Sequence, residues 1–131
     1  MRNGFCLKKE ERLCSRLAIE ALFAGTDSKS LSAYPIRAVF RQTETPGVRI
    51  LVSVSKRRFR HAVDRNRVKR QLREAYRLNK HILATPADGE RQGMDIAFIW
   101  LTAGHEPSSL VSDRMIVLLE KIRQTYHATA L

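Results

Sequence analysis

Lys56, Arg57, Arg58, Arg60, Arg65, Arg67, Lys69, Arg70, Arg73, Arg77 and Lys80 fall within 25 consecutive residues whose only acids are Asp64 and Glu74. Eleven positive and two negative residues leave that stretch at +9 in a chain of net charge +11, so the remainder is close to neutral. Fixed cations at short intervals suit a polyanion with regularly spaced phosphates. They do not suit acid–base or nucleophilic work, and nothing else in the chain supplies it. The carboxylates are scattered, apart from Glu10-Glu11, which basic residues flank. His61, His81, His105 and His127 are dispersed and read as surface residues. There is no nucleophile elbow, phosphate-binding glycine loop or dinucleotide fingerprint. Cys6 and Cys14 have neither zinc spacing nor a disulfide framework, so they read as reduced thiols. No residue is assigned a catalytic role, and none a metal.

The cations need an element that holds them. A helix over Val68–Lys80, at about 100° per residue, gathers Val68, Leu72, Ala75 and Tyr76 on one side. Lys69, Arg70, Arg73, Arg77 and Lys80 take the opposite arc, and Asn66 projects among them. A charged helix face is ordinarily just solvated, but such faces mix both signs. Here the like-charge pairs Arg65/Lys69, Lys69/Arg73 and Arg73/Arg77 each repel by about 0.2–0.5 kcal/mol. An anionic partner is the simplest compensation. Few aromatic residues lie nearby, which favours contacts to phosphate and shape over base stacking. Phe23 and Phe40 could still stack bases from an open sheet face, against a plain core role for each.

At 131 residues, 44% hydrophobic and 28% charged, the chain reads as one globular domain able to bury a core. No apolar run approaches the ~20 residues of a membrane span. The first residues lack the apolar core of a signal peptide, so the expected compartment is the cytoplasm. A membrane-surface role for the basic helix conflicts with the core's need for its apolar side.

In chain order, residues 1–9 read as a loose basic lead-in. A first helix is expected from Glu10 or Glu11 to Ala24, with Leu13, Leu17, Ala21 and Ala24 as its stripe and Gly25 as its stop. Thr26–Ala33 is polar and reads as a loop. Tyr34–Gln42 alternates, with Ile36, Ala38 and Phe40 opposite Arg37, Val39 and Arg41. After a Pro46-Gly47 turn, Val48–Ser55 alternates too, and the two strands are expected to pair as an antiparallel hairpin. Ala62-Val63 reads as a short extra strand and Asp64 as the N-cap of the basic helix. A loop at 85–93, a buried strand over Met94–Leu101 with Trp100 in the core, and a last helix from Ser108 or Ser109 to Arg123 follow. Leu110, Leu118, Leu119 and Ile122 face inward in that helix, and 127–131 are expected to be loose. This order implies an α/β sandwich, α+β in class, with one sheet of about four strands and helices packed on it.

The run from Ser53 to Arg77 resembles the protein subunit of bacterial ribonuclease P. That family carries Ser-Lys followed by Lys or Arg, a short variable loop, Ala-Val, then Arg-Asn-Arg-x-Lys-Arg-x-x-Arg-Glu. The counterparts are Ser55-Lys56-Arg57, Ala62-Val63 and Arg65-Asn66-Arg67-Val68-Lys69-Arg70-Gln71-Leu72-Arg73-Glu74. Leu7, Lys9, Arg12 and Leu13 fit the family's opening. The resemblance implies an αβββαβα order with a mixed sheet and a left-handed crossover at the motif helix, against the usual right-handed rule. It implies a monomer that joins a catalytic RNA. That RNA, with Mg²⁺, removes the 5′ leader of precursor tRNA, while the protein lowers repulsion and holds the leader between the first helix and the sheet. Arg65, Asn66, Arg67, Lys69, Arg70 and Arg73 carry over as contacts to the catalytic RNA, and Lys56 and Arg57 as basic residues near RNA or leader. Arg58, Arg60 and Arg77 extend the same basic surface. Ile19 and Phe23 take the places of two leader-facing aromatics, and an isoleucine cannot stack a base as a ring does. The variable loop, Arg58-Phe59-Arg60-His61, is bulkier and more basic than the small residues usual there. The competing reading is a basic RNA-binding assembly factor, like a ribosomal protein, with no part in cleavage.

Overall fold

The computed structural model describes residues 12–13, 16–24, 28–43, 47–83 and 93–130. The expected lead-in, Glu10 and Glu11, both cysteines, Gly25 and nearly all of the 85–93 loop lie outside them. The elements are α1 (Arg16–Ala24), β1 (Lys29–Ala33), β2 (Ile36–Thr43), β3 (Gly47–Ser53), α2 (Ala62–Asn79), β4 (Gly93–Trp100) and α3 (Ser108–Ala130), with a 3-10 turn at Lys80–Ile82.

The four strands form one mixed sheet in the order β1-β2-β4-β3. β4 runs antiparallel to β2, Ile36 opposite Trp100, and parallel to β3, Val48 opposite Met94. The expected hairpin of β2 with β3 is therefore not made, because β4 lies between them. The physical reason is visible in β4 itself. Met94, Ile96, Phe98 and Trp100 point to one face, while Asp95 and Ala97 point to the other, and all six are buried. A strand buried on both faces belongs at the centre of a sheet; the hairpin would have left it at an edge.

The third strand is also not where it was expected. β1 pairs antiparallel with β2 from Lys29–Phe40 to Ala33–Ile36, in the stretch read as a loop. Ala62 and Val63 instead form the first turn of α2. The N-cap of that helix is His61, which makes no side-chain cap, and Asp64 sits inside the first turn.

Two layers of apolar packing flank the sheet. On one face, Ile36, Ala38, Phe40, Ile50, Val52, Met94, Ile96, Phe98 and Trp100 pack with Val68, Leu72, Ala75 and Tyr76 of α2 and Val111, Met115, Leu118, Leu119 and Ile122 of α3. Phe40 is thus core, not a stacking surface. On the other face, Val39 and Ala97 meet Leu13 and Leu22, with Ala18, Ile19, Leu51 and Ile99 at the margin. α1 is shorter than expected. Arg12 forms a parallel bridge with Ile50, and the Leu13 N–H donates to the Ile50 carbonyl at 2.8 Å, so the chain is extended there. The expected stripe is out of phase: Leu17 is 78% exposed while Leu22 is fully buried. α3 continues past Arg123 to Ala130, through most of the segment expected to be loose. Among the described residues, no helix is long and apolar enough to cross a membrane.

Candidate nucleic-acid interface

α2 follows from its sequence. Its apolar positions recur at 68, 72, 75 and 76, and all four side chains are buried, Val68 and Leu72 completely. That burial fixes the rotation of the helix. Gln71 Nε2 donates to the Glu106 carbonyl at 3.0 Å and to Ser108 Oγ at 3.2 Å. At the far end Asn79 Nδ2 donates to the Ala75 carbonyl at 2.8 Å and to Ser112 Oγ at 3.3 Å. The helix is thus tied to the start of α3 and to the segment before it.

With its underside fixed, α2 shows Asn66, Arg67, Arg70 and Arg73 to solvent, with Lys69 half-buried beside them. At 1.5 Å per residue, Asn66 to Arg73 spans about 10 Å along the axis. Lys56, Arg57, Arg58 and Arg60, in the loop before the helix, are all exposed. Among the described residues, none of Lys56, Arg57, Arg58, Arg60, Arg67, Lys69, Arg70 and Arg73 has an ion-pair or side-chain hydrogen-bond partner. The structure brings these eight together as an uncompensated cationic surface.

Two of the expected contacts are engaged within the protein. Arg65 Nη1 donates to the carbonyls of Phe59 at 2.8 Å and Arg60 at 3.1 Å, so this guanidinium closes the loop. Arg77 grips Glu74 through two hydrogen bonds, Nε to Oε1 at 3.1 Å and Nη2 to Oε2. That pairing holds the Glu74 carboxyl below the usual carboxylate range, with slight burial working the other way. The other acid of the basic stretch, Asp64, lies 3.2 Å from His105 Nε2 rather than against an arginine.

On the opposite side of the sheet, both within α1, Ile19 is half-buried and Phe23 is 48% exposed, so the two do not form a matched pair. This face carries cations that were not singled out. Arg37, half of the Arg37/Val39/Arg41 alternation, donates from Nε to Ser30 Oγ at 2.9 Å. Arg41 lies across from Asp95, and Asp95 across from Arg49, in one row of the sheet. Alternation in β2 was a usable signal for Arg37 and Arg41. Arg49 and Asp95 are 46 positions apart, and no local pattern joins them. Among the described residues, no three His, Cys, Asp or Glu side chains gather as a metal-holding group.

A family model described as Ribonuclease P matches residues 7–123. The chain belongs to the ribonuclease P protein family. A Ribonuclease P protein component of Porphyromonas gingivalis is 51% identical over 82 residues, which are 60% of this chain and 58% of that one. Its counterpart in Chlorobium phaeobacteroides is 38% identical over 94 residues, 67% of this chain and 63% of the relative. The chain therefore spans about three fifths of the length of these curated relatives. Among solved structures, the ribonuclease P protein of Thermotoga maritima superposes with a TM-score of 0.69 at 25% identity, covering 85% of this chain and 96% of that one. A mutant of the Staphylococcus aureus ribonuclease P protein shares the fold, with a TM-score of 0.72 at 19% identity over 89% of this chain and 92% of that one. The four-stranded mixed sheet with three helices is the fold of this family.

Proposed function

We propose that this chain is the protein component of a ribonuclease P holoenzyme, acting in the cytoplasm. It binds the catalytic RNA through α2 and the preceding loop, and the 5′ leader of precursor tRNA on the sheet face beside α1. The observation that carries this is the eight-residue cationic surface, without counter-charge among the described residues and held in place by the buried side of α2. The relatives' name, Ribonuclease P protein component, supports the same reading.

The physical role follows from charge. Two folded RNAs repel, and each phosphate met by a fixed cation releases condensed counterions and lowers that cost. Placing the cations beforehand on a packed helix avoids ordering them during binding. We assign the hydrolysis itself to the RNA and the Mg²⁺ ions it holds, and the chain's part to binding and orientation.

The test combines the purified chain with a bacterial ribonuclease P RNA and a leader-bearing precursor tRNA at low Mg²⁺. The expected result is restored cleavage at the 5′ end of the mature tRNA, with no cleavage by the chain alone. Tight RNA binding with no gain in cleavage would instead identify an assembly factor and overturn the proposal.

A further inference from the structure

The loop that departs from the family pattern is braced at several points. Its turn is closed by the N–H groups of Arg58 and Phe59, which donate to the Ser55 carbonyl at 3.1 and 3.3 Å. Phe59 is 7% exposed and belongs to the main core, so its neighbours Arg58 and Arg60 are left outside. The Phe59 ring stacks on the His105 imidazole, with centroids 4.7 Å apart and planes 28° apart. The same imidazole meets Asp64 through Nε2 at 3.2 Å.

His105 stands on a segment that is itself fixed. Trp100 Nε1 donates to the Gly104 carbonyl at 3.2 Å, and the Gly104 N–H donates to Thr102 Oγ1 at 3.3 Å. One residue later, the Glu106 carbonyl accepts from Gln71 of α2. The imidazole thus does two things. It lies against the ring that anchors the basic loop, and it contacts the carboxylate of Asp64 in the first turn of α2. A solvated loop of this composition would scatter its charges by mutual repulsion.

We infer that His105 is a positioning residue for RNA binding: by stacking on Phe59 and engaging Asp64, it holds Arg58 and Arg60 as a preset pair of phosphate contacts beside α2. This rests on the RNA-binding reading above. His105 itself touches no RNA; it acts through Phe59 and Asp64. The bulky loop is then an added grip on the nucleic acid that this chain carries beyond the family motif.

The experiment is a mutant cycle on binding to a bacterial ribonuclease P RNA transcript, read as affinity and as its slope against salt. The variants are His105→Ala, His105→Phe, the pair Arg58→Ala/Arg60→Ala, and all three alanines together. Losing both arginines should flatten the slope by about 1.4–1.8 log units, two phosphate contacts' worth. His105→Ala should lower affinity at least about threefold and flatten the slope in the same direction, because contacts are lost or loosened. His105→Phe, which keeps the ring on Phe59, should restore most of that affinity. In the background lacking both arginines, His105→Ala should have no further effect. An equal loss in both backgrounds would reveal general destabilisation and overturn the inference, as would an unchanged slope in His105→Ala. Cleavage by the wild-type holoenzyme is followed in parallel. If RNA binds but cleavage does not improve, the ribonuclease P reading fails while the cycle still decides the role of His105.

Discussion

The Asp95 carboxylate accepts two hydrogen bonds from one residue, Arg49, with Nε on Oδ1 at 3.0 Å and Nη2 on Oδ2 at 3.1 Å. The pair is lopsided: the Asp95 side chain is 1% exposed and that of Arg49 is 26% exposed. The two partners should therefore not be equally replaceable. Removing Arg49 strands a buried carboxylate without its two donors, whereas removing the carboxylate leaves a guanidinium that can still reach solvent. We expect Arg49→Ala to cost about 3–5 kcal/mol. Asp95→Asn, which keeps the shape, should cost about 1–2 kcal/mol. Urea unfolding of the two variants measures the difference, and equal costs would contradict the burial argument.

The phase of α1 makes a second expectation. Leu22 is fully buried against Val39, Ala97 and Leu13, and Leu17 projects outward at 78% exposure. Leu22→Ala should destabilise by about 2–5 kcal/mol, the usual cost of an emptied core site. Leu17→Ala should stay within about 0.5 kcal/mol of wild type. The same unfolding measurement decides, and a large loss at Leu17 would restore the stripe expected from sequence.

Which features were legible follows from these contrasts. α2 was readable because Val68, Leu72, Ala75 and Tyr76 are its only well-spaced apolar residues, and strong charge covers the rest; its rotation could hardly be otherwise. α1 has apolar residues almost all round, so several stripes were possible, and the extended pairing of Leu13 with Ile50 ruled out the one that used Leu13. β1 was missed because Lys29-Ser30-Leu31-Ser32-Ala33 has little strand propensity; it is an edge strand held by backbone pairing to β2. Strand order was open to inference from the doubly apolar β4, but adjacency in sequence suggested the hairpin first. In the interface, residue type announced the cations. Only the fold reveals that Arg65 closes a loop, that Arg77 is held by Glu74, and that His105 braces Phe59.

The Glu74–Arg77 pair carries a pH signature. Its carboxyl titrates below the usual range because Arg77 stabilises the ionised form. A depressed carboxylate contributes stability that is fully present above its unfolded pKa, about 4.3, and is lost as pH falls through the lower folded value. The side chain is 54% exposed, so solvent screens the pair, and its worth is only about 0.2–0.5 kcal/mol. Glu74→Gln should therefore be slightly less stable than wild type at pH 7. The two should converge well below pH 4, where both residues at position 74 are neutral. Paired urea curves at pH 7 and pH 3 test this, and a gap that persists at pH 3 would assign the effect to something other than charge.

The cationic surface predicts a graded response to salt. Arg70 and Arg73 are exposed and without partners among the described residues, whereas Arg77 already holds Glu74. If each free arginine meets a phosphate, Arg70→Ala and Arg73→Ala should each weaken RNA binding and flatten the log-affinity against log-salt slope by about 0.7–0.9. Arg77→Ala should flatten it less, because the Glu74 carboxylate already offsets that guanidinium. Titrations at four or five salt concentrations give the slopes directly. A slope unchanged in Arg70→Ala removes that residue from the interface. A larger change in Arg77→Ala than in Arg73→Ala would mean that the RNA displaces Glu74, moving the centre of the contact toward the C-terminal end of α2.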